Sequence, residues 1–307
     1  MGKMRHLLLH VGHGKTGSSY LQSSLALSQE GLDEIGLCYP FHRSFDAARR
    51  GFVTSGNREI LWSAIETSDP EALFGPHDTA LISGEQLHRE LLPRKDAFFA
   101  FVNNAQITKV SLLLFIRDPV EDACSGYQQA VKRGGYTGTI EDFFSQYERP
   151  KTVSDFLEAF TDKPATATTV RNYSRSSDVL GDLETFLGNV ALTMPPIDRI
   201  NRRLTPAELA IQSSFNKHLG PSGNLVADKL CTELPDVCAE VTAPSEDVQR
   251  AMLDRNRDVI MAVNRRIDAD QHYSFDTIEP ASDESLSLTL EQIQVIAKSL
   301  APKIRMR

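Results

Sequence analysis

The chain has 307 residues, of which 41% are hydrophobic, and its 33 Lys and Arg against 41 Asp and Glu give a formal charge of −8. A chain of this length can bury a core without disulfides or metals, so intrinsic disorder, collagen and small disulfide scaffolds are excluded. The acidic balance and the scattered basic residues argue against nucleic-acid binding, which needs clustered Lys and Arg.

The sequence carries no signal for membrane insertion or secretion. No stretch approaches the roughly 18 to 20 uninterrupted apolar residues of a membrane span, and the apolar run at Leu7–Leu9 is too short for a secretory signal. We therefore expect a cytoplasmic protein. No internal repeat or linker divides the chain, which favours a single domain over residues 1–307. The sequence leaves its oligomeric state open.

Three short apolar runs, bounded by Gly, Pro or charged residues, predict buried strands. They are Leu7–Val11, Thr79–Ser83 and Val110–Ile116. After the third run, apolar residues recur at helical spacing from Val120 to Val131, which predicts a helix that ends near Gly134.

Two further helices are predicted by signals at their N-termini. Thr205-Pro206-Ala207-Glu208 combines a capping threonine, a proline at the first helical position and a glutamate at the third. Thr289 and Gln292 form a similar pair, and residues 220–307 are predicted to be a helical decoration. Strands that alternate with helices predict an α/β fold, with a mostly parallel sheet flanked by helices. Such sheets bind ligands at the C-terminal ends of their strands.

The first predicted strand runs directly into a glycine-rich loop, Gly12-His13-Gly14-Lys15-Thr16-Gly17-Ser18-Ser19. Glycines allow backbone N–H groups to turn inward, and the N-terminus of the following helix adds positive partial charge. Lys15 adds a further donor, and three hydroxyl groups do the same: those of Thr16, Ser18 and Ser19. The pattern predicts a phosphate-binding loop, and the alternative is a strand-to-helix turn without a ligand.

The loop departs from the nucleotide triphosphatase pattern GxxxxGK[ST], which requires a glycine at position 9, where this chain has Leu9. The order Lys-Thr-Gly-Ser-Ser from Lys15 to Ser19 instead resembles the 5′-phosphosulfate loop of sulfotransferases that use 3′-phosphoadenosine 5′-phosphosulfate (PAPS). Gly14 stands where this family commonly has proline, and two serines replace the common Thr-Thr.

A second motif lies about a hundred residues further along, where the third predicted strand ends in Arg117-Asp118-Pro119 and Ser125 follows eight residues after Arg117. In the sulfotransferase family, an Arg and a Ser at this spacing bind the 3′-phosphate of the nucleotide. An arginine fork can engage two oxygens of a phosphate monoester. The alternative is that Arg117 pairs with a core carboxylate and Ser125 is a solvated helix residue.

The resemblance covers roughly residues 5–220, with its two motifs within residues 7–22 and 112–132. Weaker likeness to the family is found at Val170–Tyr173 and at Asn201, Arg203 and Leu204. The resemblance implies a bacterial-type PAPS-dependent sulfotransferase with a P-loop-like architecture and no metal. Such an enzyme moves a sulfuryl group to a hydroxyl or amine and releases adenosine 3′,5′-bisphosphate.

In this interpretation, the nucleotide is bound by Gly14 to Ser19, together with Arg117 and Ser125, and Lys15 stabilises the charge that develops on the leaving phosphate. The acceptor stays open between a small metabolite, a glycan and a lipid head group. Two other functions also stay open. A P-loop nucleotide kinase or NTPase with an atypical loop would turn over ATP with Mg²⁺, and a non-catalytic nucleotide-binding module would bind the bisphosphate without turnover.

An acceptor hydroxyl also needs a base. Glu85 follows the predicted strand 79–83 and is the first candidate, because several sulfotransferase subfamilies use a glutamate in this role. The alternative for Glu85 is a cap on the next helix or a pair with Arg89. His13, within the loop, and His88, one turn after Glu85, are rival bases, because the pKa of histidine suits base chemistry near neutral pH. His10 is expected to pack at its strand end.

Overall fold

The computed structural model describes residues 4–195, 202–220, 224–282 and 287–305, so Asn201 lies outside the described residues.

The chain forms two compact units. The first comprises Met1–Asp118, Arg149–Ile200 and Arg257–Tyr273, and the second comprises Pro119–Glu148, Asn201–Asn256 and Ser274–Arg307. The sequence predicts a single domain over residues 1–307, and this stays a prediction. Within the described ranges, none of the helices has the length and apolar character needed to cross a membrane.

A five-stranded parallel sheet forms the centre of the first unit, with the strand order β2-β3-β1-β4-β5. The strands are β1 Arg5–His10, β2 Leu37–Cys38, β3 Thr79–Ser83, β4 Ile107–Ile116 and β5 Thr166–Asn172. This arrangement confirms the α/β class. The three strands predicted from the sequence lie side by side in the middle of the sheet, where burial on both faces requires continuous apolar runs.

Sixteen α-helices are found in the described residues. They are α1 Ser18–Leu27, α2 Gln29–Glu34, α3 Phe45–Arg49, α4 Arg58–Thr67, α5 Glu71–Phe74, α6 Leu87–Leu91, α7 Lys95–Asn104, α8 Pro119–Arg133, α9 Ile140–Ser145, α10 Arg149–Phe160, α11 Val179–Phe186, α12 Pro206–Leu219, α13 Asn224–Glu233, α14 Glu246–Arg255, α15 Arg257–Asn264 and α16 Leu290–Arg305. In the first unit, Leu21 and Leu25 of α1 belong to the same buried cluster as Leu183 of α11 and Leu113 of β4. This packing fixes helix α1 on the sheet directly after the loop that follows β1.

The second unit consists of helices α8, α9, α12, α13, α14 and α16. Helix α8 ends at Arg133, one residue before the predicted stop, and its Tyr127 and Val131 pack in a cluster with Leu204 and Leu230. Helix α12 begins with the predicted capping box. At the start of α16, the predicted pair of Thr289 and Gln292 exchanges both capping hydrogen bonds. These three helix predictions are confirmed.

A buried ion pair lies at the start of helix α12. Arg202 donates from Nη1 to Glu208 Oε2 and from Nη2 to Oε1, at 2.8 Å each. Gln292 Nε2 also donates to Glu208 Oε1, at 2.9 Å. Burial acts to raise the pKa of Glu208, but the hydrogen bonds from Arg202, Thr205 and Gln292 and the charge of Arg202 outweigh burial and lower it. The carboxylate is therefore held ionised by its partners.

Replacing Glu208 with glutamine is expected to lower the free energy of unfolding by about 3 to 5 kcal/mol, because Arg202 keeps a buried charge without a counter-ion. Since the pKa of Glu208 is lowered from its ordinary value of 4.5, the wild-type contribution is fully present above about pH 4.5 and is lost as the pH falls through the lower folded value. Urea unfolding at pH 7 and in acid measures both effects. Glu246→Gln, in an exposed pair with Arg250, is the control. Equal losses in the two variants would contradict the prediction.

Candidate functional site

The glycine-rich loop lies between β1 and α1, at the sheet edge where the parallel strands end. Two of its residues, Lys15 and Gly17, adopt left-handed backbone conformations with φ of 69° and 80°. Glycine adopts this conformation freely, whereas a lysine there stores strain of a kind that concentrates at functional sites. Left-handed residues within a turn are also typical of the backbone nests that bind anions.

The hydroxyl groups of the loop have different environments. Thr16 Oγ1 donates to the carbonyl of His13 at 2.7 Å, so its proton is used inside the loop. Ser18 Oγ, at the first residue of α1, is buried and has no hydrogen-bond partner among the described residues. Buried hydroxyls are normally paired. An unpaired one at a helix N-terminus beside a nest is suited to a phosphate oxygen.

The arginine motif lies on the neighbouring strand. Arg117 directly follows β4, and its Nη1 donates to the carbonyl of Lys15 at 3.3 Å, across 102 residues of sequence. Its guanidinium carbon also lies 5.4 Å from the centre of the Tyr173 ring. Tyr173 in turn approaches the loop, because a Cβ added to Gly17 would stand 3.4 Å from its ring. The structure thus brings Arg117 and the glycine-rich loop together, with Tyr173 beside both.

The residues that follow Arg117 are placed in different units. Asp118 fixes the end of β4 to the end of β5, because its carboxylate accepts from Asn172 Nδ2 at 2.9 Å and its backbone N–H donates to Ser174 Oγ at 3.0 Å. Ser125 is buried within helix α8 of the second unit. Its role at a 3′-phosphate stays a prediction.

Glu85 lies in the turn between β3 and α6, beside the loop. Its Oε1 lies 3.3 Å from the position that a Cβ on Gly14 would occupy. Helix α6 has Gln86 at its N-cap and no side-chain cap, and Arg89 Nη1 donates to Gln86 Oε1 rather than pairing with Glu85. Within the described ranges, Glu85 therefore neither caps helix α6 nor pairs with Arg89. The turn itself is held by Arg58, whose Nη1 donates to the Glu85 carbonyl at 2.7 Å.

His10 is fully buried at the end of β1. Its ring packs edge-on against Phe115 at 5.6 Å, and its Nδ1 lies 2.9 Å from Ser83 Oγ. Burial lowers the pKa of His10 to about 4, so the ring is neutral near pH 7. The expected packing role at the strand end is confirmed.

The two histidines considered as rival bases stack on each other. The rings of His13 and His88 are 5.6 Å apart and within 11° of parallel. His88 Nδ1 lies 3.2 Å from the carbonyl of Val11, and His13 Nδ1 lies 3.2 Å from that of Gly14. Because a carbonyl only accepts, each Nδ1 carries a hydrogen. Burial, followed by the charge of His13, lowers the pKa of His88 well below its ordinary value, so His88 is neutral near pH 7 and a weak base.

Arg149 is a candidate site residue that sequence analysis missed. It begins helix α10, and its Nη1 lies 3.9 Å from the Cβ position of Gly14. It lines a cleft beside the loop with a set of polar residues: His13, Gln86, His88, Arg89 and Thr152. No local sequence signal could have found Arg149, because its position depends on how α10 packs in the first unit.

Comparisons with models of known protein families, with curated proteins and with solved structures found no significant match.

A further cavity of about 370 Å³ opens at the start of α11 and is lined by polar residues, among them Arg171, Arg175 and Asp182. Across the described ranges, no group of three or more His, Cys, Asp or Glu side chains is placed to hold a metal ion.

Proposed function

We propose that the protein is a cytoplasmic PAPS-dependent sulfotransferase with a P-loop-like sulfotransferase architecture. The observation that carries this proposal is the hydrogen bond from Arg117 to the carbonyl of Lys15, because it sets a guanidinium group against the glycine-rich loop. A ligand with two separate phosphate groups suits this arrangement, one for the loop and one for the arginine.

The residues of the loop fit the phosphosulfate end of PAPS. Ser18 Oγ is buried and unpaired among the described residues, and the N-terminus of α1 supplies backbone N–H groups. Lys15, with its half-buried side chain, follows Gly14 at the same turn. A lysine at this position stabilises negative charge on the oxygen that bridges phosphorus and sulfur.

In the proposed reaction, an acceptor oxygen or nitrogen forms a bond to sulfur while the bond from sulfur to the bridging phosphate oxygen breaks, as in the loose transition state of phosphoryl transfer. Glu85 takes the proton of the acceptor, and adenosine 3′,5′-bisphosphate leaves. Glu85 suits this role because its carboxylate approaches Gly14 and forms no hydrogen bond or ion pair among the described residues. The acceptor is a small metabolite, a glycan or a lipid head group.

Calorimetric titration with adenosine 3′,5′-bisphosphate, AMP and ATP with Mg²⁺ tests the proposal. We expect micromolar binding of the bisphosphate, and weaker binding of AMP because it lacks the 3′-phosphate. Arg117→Ala is expected to weaken bisphosphate binding by about 1.5 to 3 kcal/mol, as for a hydrogen bond to a charged group. Arg94→Ala, which removes an exposed guanidinium that lies over Trp62, is the matched control.

If ATP with Mg²⁺ binds more tightly and the 3′-phosphate makes no difference, the sulfotransferase proposal is wrong and a nucleotide kinase takes its place. If the bisphosphate binds tightly but a broad acceptor screen gives no transfer, the protein is a nucleotide-binding module.

A further inference from the structure

Two buried polar atoms converge on one point beside Gly12. His10 Nε2 and Ser18 Oγ are both buried and unpaired within the part of the chain that the structure describes. A Cβ added to Gly12 would stand 2.9 Å from His10 Nε2 and 2.7 Å from Ser18 Oγ. Unpaired polar atoms are costly in a protein interior, so two of them at one point of the loop indicate a contact that a ligand completes.

Gly12 keeps these two atoms unseparated. Its backbone does not require a glycine, because it lacks the positive φ that Lys15 and Gly17 have. A side chain at position 12 would instead collide with both polar atoms. The glycine is therefore needed for the close approach of the imidazole ring and the serine hydroxyl.

The other ring nitrogen of His10 lies beside a second serine. His10 Nδ1 is 2.9 Å from Ser83 Oγ, at the end of the neighbouring strand β3. The buried ring is neutral near pH 7, so one of its nitrogens carries a hydrogen and the other accepts. The ring can therefore link the two serine hydroxyls in a chain of hydrogen bonds that has one direction.

A phosphate group in the loop determines this direction. An ionised phosphate oxygen accepts hydrogen bonds, so Ser18 donates its one hydroxyl hydrogen to it. Ser18 Oγ can then only accept from His10, which places the ring hydrogen on Nε2. Nδ1 in turn accepts from Ser83 Oγ. All three hydrogen bonds point toward the anion, and each strengthens the next.

We propose that His10 is a positioning residue for phosphate binding: its Nε2–H donates to Ser18 Oγ and directs the serine hydroxyl hydrogen to a phosphate oxygen of the bound nucleotide. This inference rests on the proposed binding of a phosphate group by the loop and adds two buried residues, His10 and Ser83, to that site. His10 acts on the affinity for the nucleotide through Ser18.

The first test follows the His10 ring in the full chain by NMR of ¹⁵N-labelled histidine. With adenosine 3′,5′-bisphosphate bound, we expect the hydrogen on Nε2, and the resonance of the unprotonated Nδ1 far downfield of that of Nε2. His10→Leu or His10→Gln identifies the His10 signals by their loss. A hydrogen on Nδ1 in the complex would overturn the proposal, because Nε2 then cannot donate.

A double-mutant cycle between His10 and Ser18 measures whether His10 acts through the serine. By calorimetry, we expect Ser18→Ala to weaken bisphosphate binding at least about tenfold and His10→Leu to weaken it about two- to tenfold. In the Ser18→Ala background, His10→Leu should have no further effect. His10→Gln, whose amide can donate, should recover part of the loss.

The matched control is His6→Leu, at the other end of β1. It removes an imidazole whose Nε2 lies 2.9 Å from Ser111 Oγ, so it also breaks a pair of histidine and serine. We expect it to leave bisphosphate affinity unchanged. A loss equal to that of His10→Leu would assign the effect to the stability of the strand and overturn the proposal.

Additive losses in the double mutant, or an unchanged affinity of His10→Leu, would overturn the role of His10 while bisphosphate binding by the wild type still supports the sulfotransferase. If the wild type binds ATP with Mg²⁺ in place of the bisphosphate, the sulfotransferase proposal is wrong, and both measurements made with ATP still test His10. Binding of neither nucleotide would remove both proposals.

Discussion

Replacing Lys15 with alanine is expected to lower the rate of sulfuryl transfer from PAPS by on the order of 10²–10³-fold, the usual cost of removing one group that stabilises developing charge. The backbone of Lys15 is held in place, because its left-handed φ of 69° is fixed beside Arg117, which donates to its carbonyl. Charge on the bridging oxygen develops mainly in the transition state. We therefore expect kcat to fall much more than the affinity for adenosine 3′,5′-bisphosphate.

The matched control is Lys109→Ala, which removes an exposed lysine near the N-terminal end of β4, at the opposite edge of the sheet. Single-turnover rates and calorimetric affinities of both variants measure the two effects separately. If Lys15→Ala weakens bisphosphate binding and lowers the transfer rate by the same factor, Lys15 stabilises the bound ground state and the transition state equally. An unchanged rate would exclude it from the reaction.

The central strands were predictable because a parallel strand buried on both faces must be apolar throughout, as in Leu7–Leu9. The edge strands were not predicted from apolar runs. β2 consists of Leu37 and Cys38 alone, too short to give a pattern. β5 begins with Thr166-Ala167-Thr168-Thr169, which are partly exposed and so need no apolar side chains. The helix starts were predictable because capping is local, as at Thr205.

The approach of Arg117 to the loop was also predictable, since the carboxyl ends of parallel strands meet at one edge of a sheet. The hydrogen bonds within the loop and the position of Arg149 were not predictable from the sequence. The hydroxyl of Thr16 donates within the loop, whereas that of Ser18 has no partner among the described residues, and both have the same appearance in the sequence. Arg149 approaches Gly14 only because α10, which begins 135 positions after Gly14 along the chain, packs in the same unit.

The choice of base carries the second large expected effect. Glu85→Gln is expected to lower transfer to the acceptor by on the order of 10²–10⁴-fold, because the amide cannot take the acceptor proton. The carboxylate of Glu85 is free of hydrogen bonds and ion pairs among the described residues and approaches Gly14, whereas the neutral His88 is held against the Val11 carbonyl. Bisphosphate affinity should stay unchanged in the same variant.

Glu66→Gln, which changes an exposed glutamate of α4, is the control for the loss of one negative charge. His13→Gln and His88→Gln, assayed with the same acceptor, decide between the three candidates. Near-normal turnover of Glu85→Gln would end its assignment as the base. A loss confined to His13→Gln would then give that role to His13, whose ring lies in the loop and stacks on His88. If all three variants keep their rate, proton removal does not limit transfer, because an amine acceptor can enter the reaction already deprotonated.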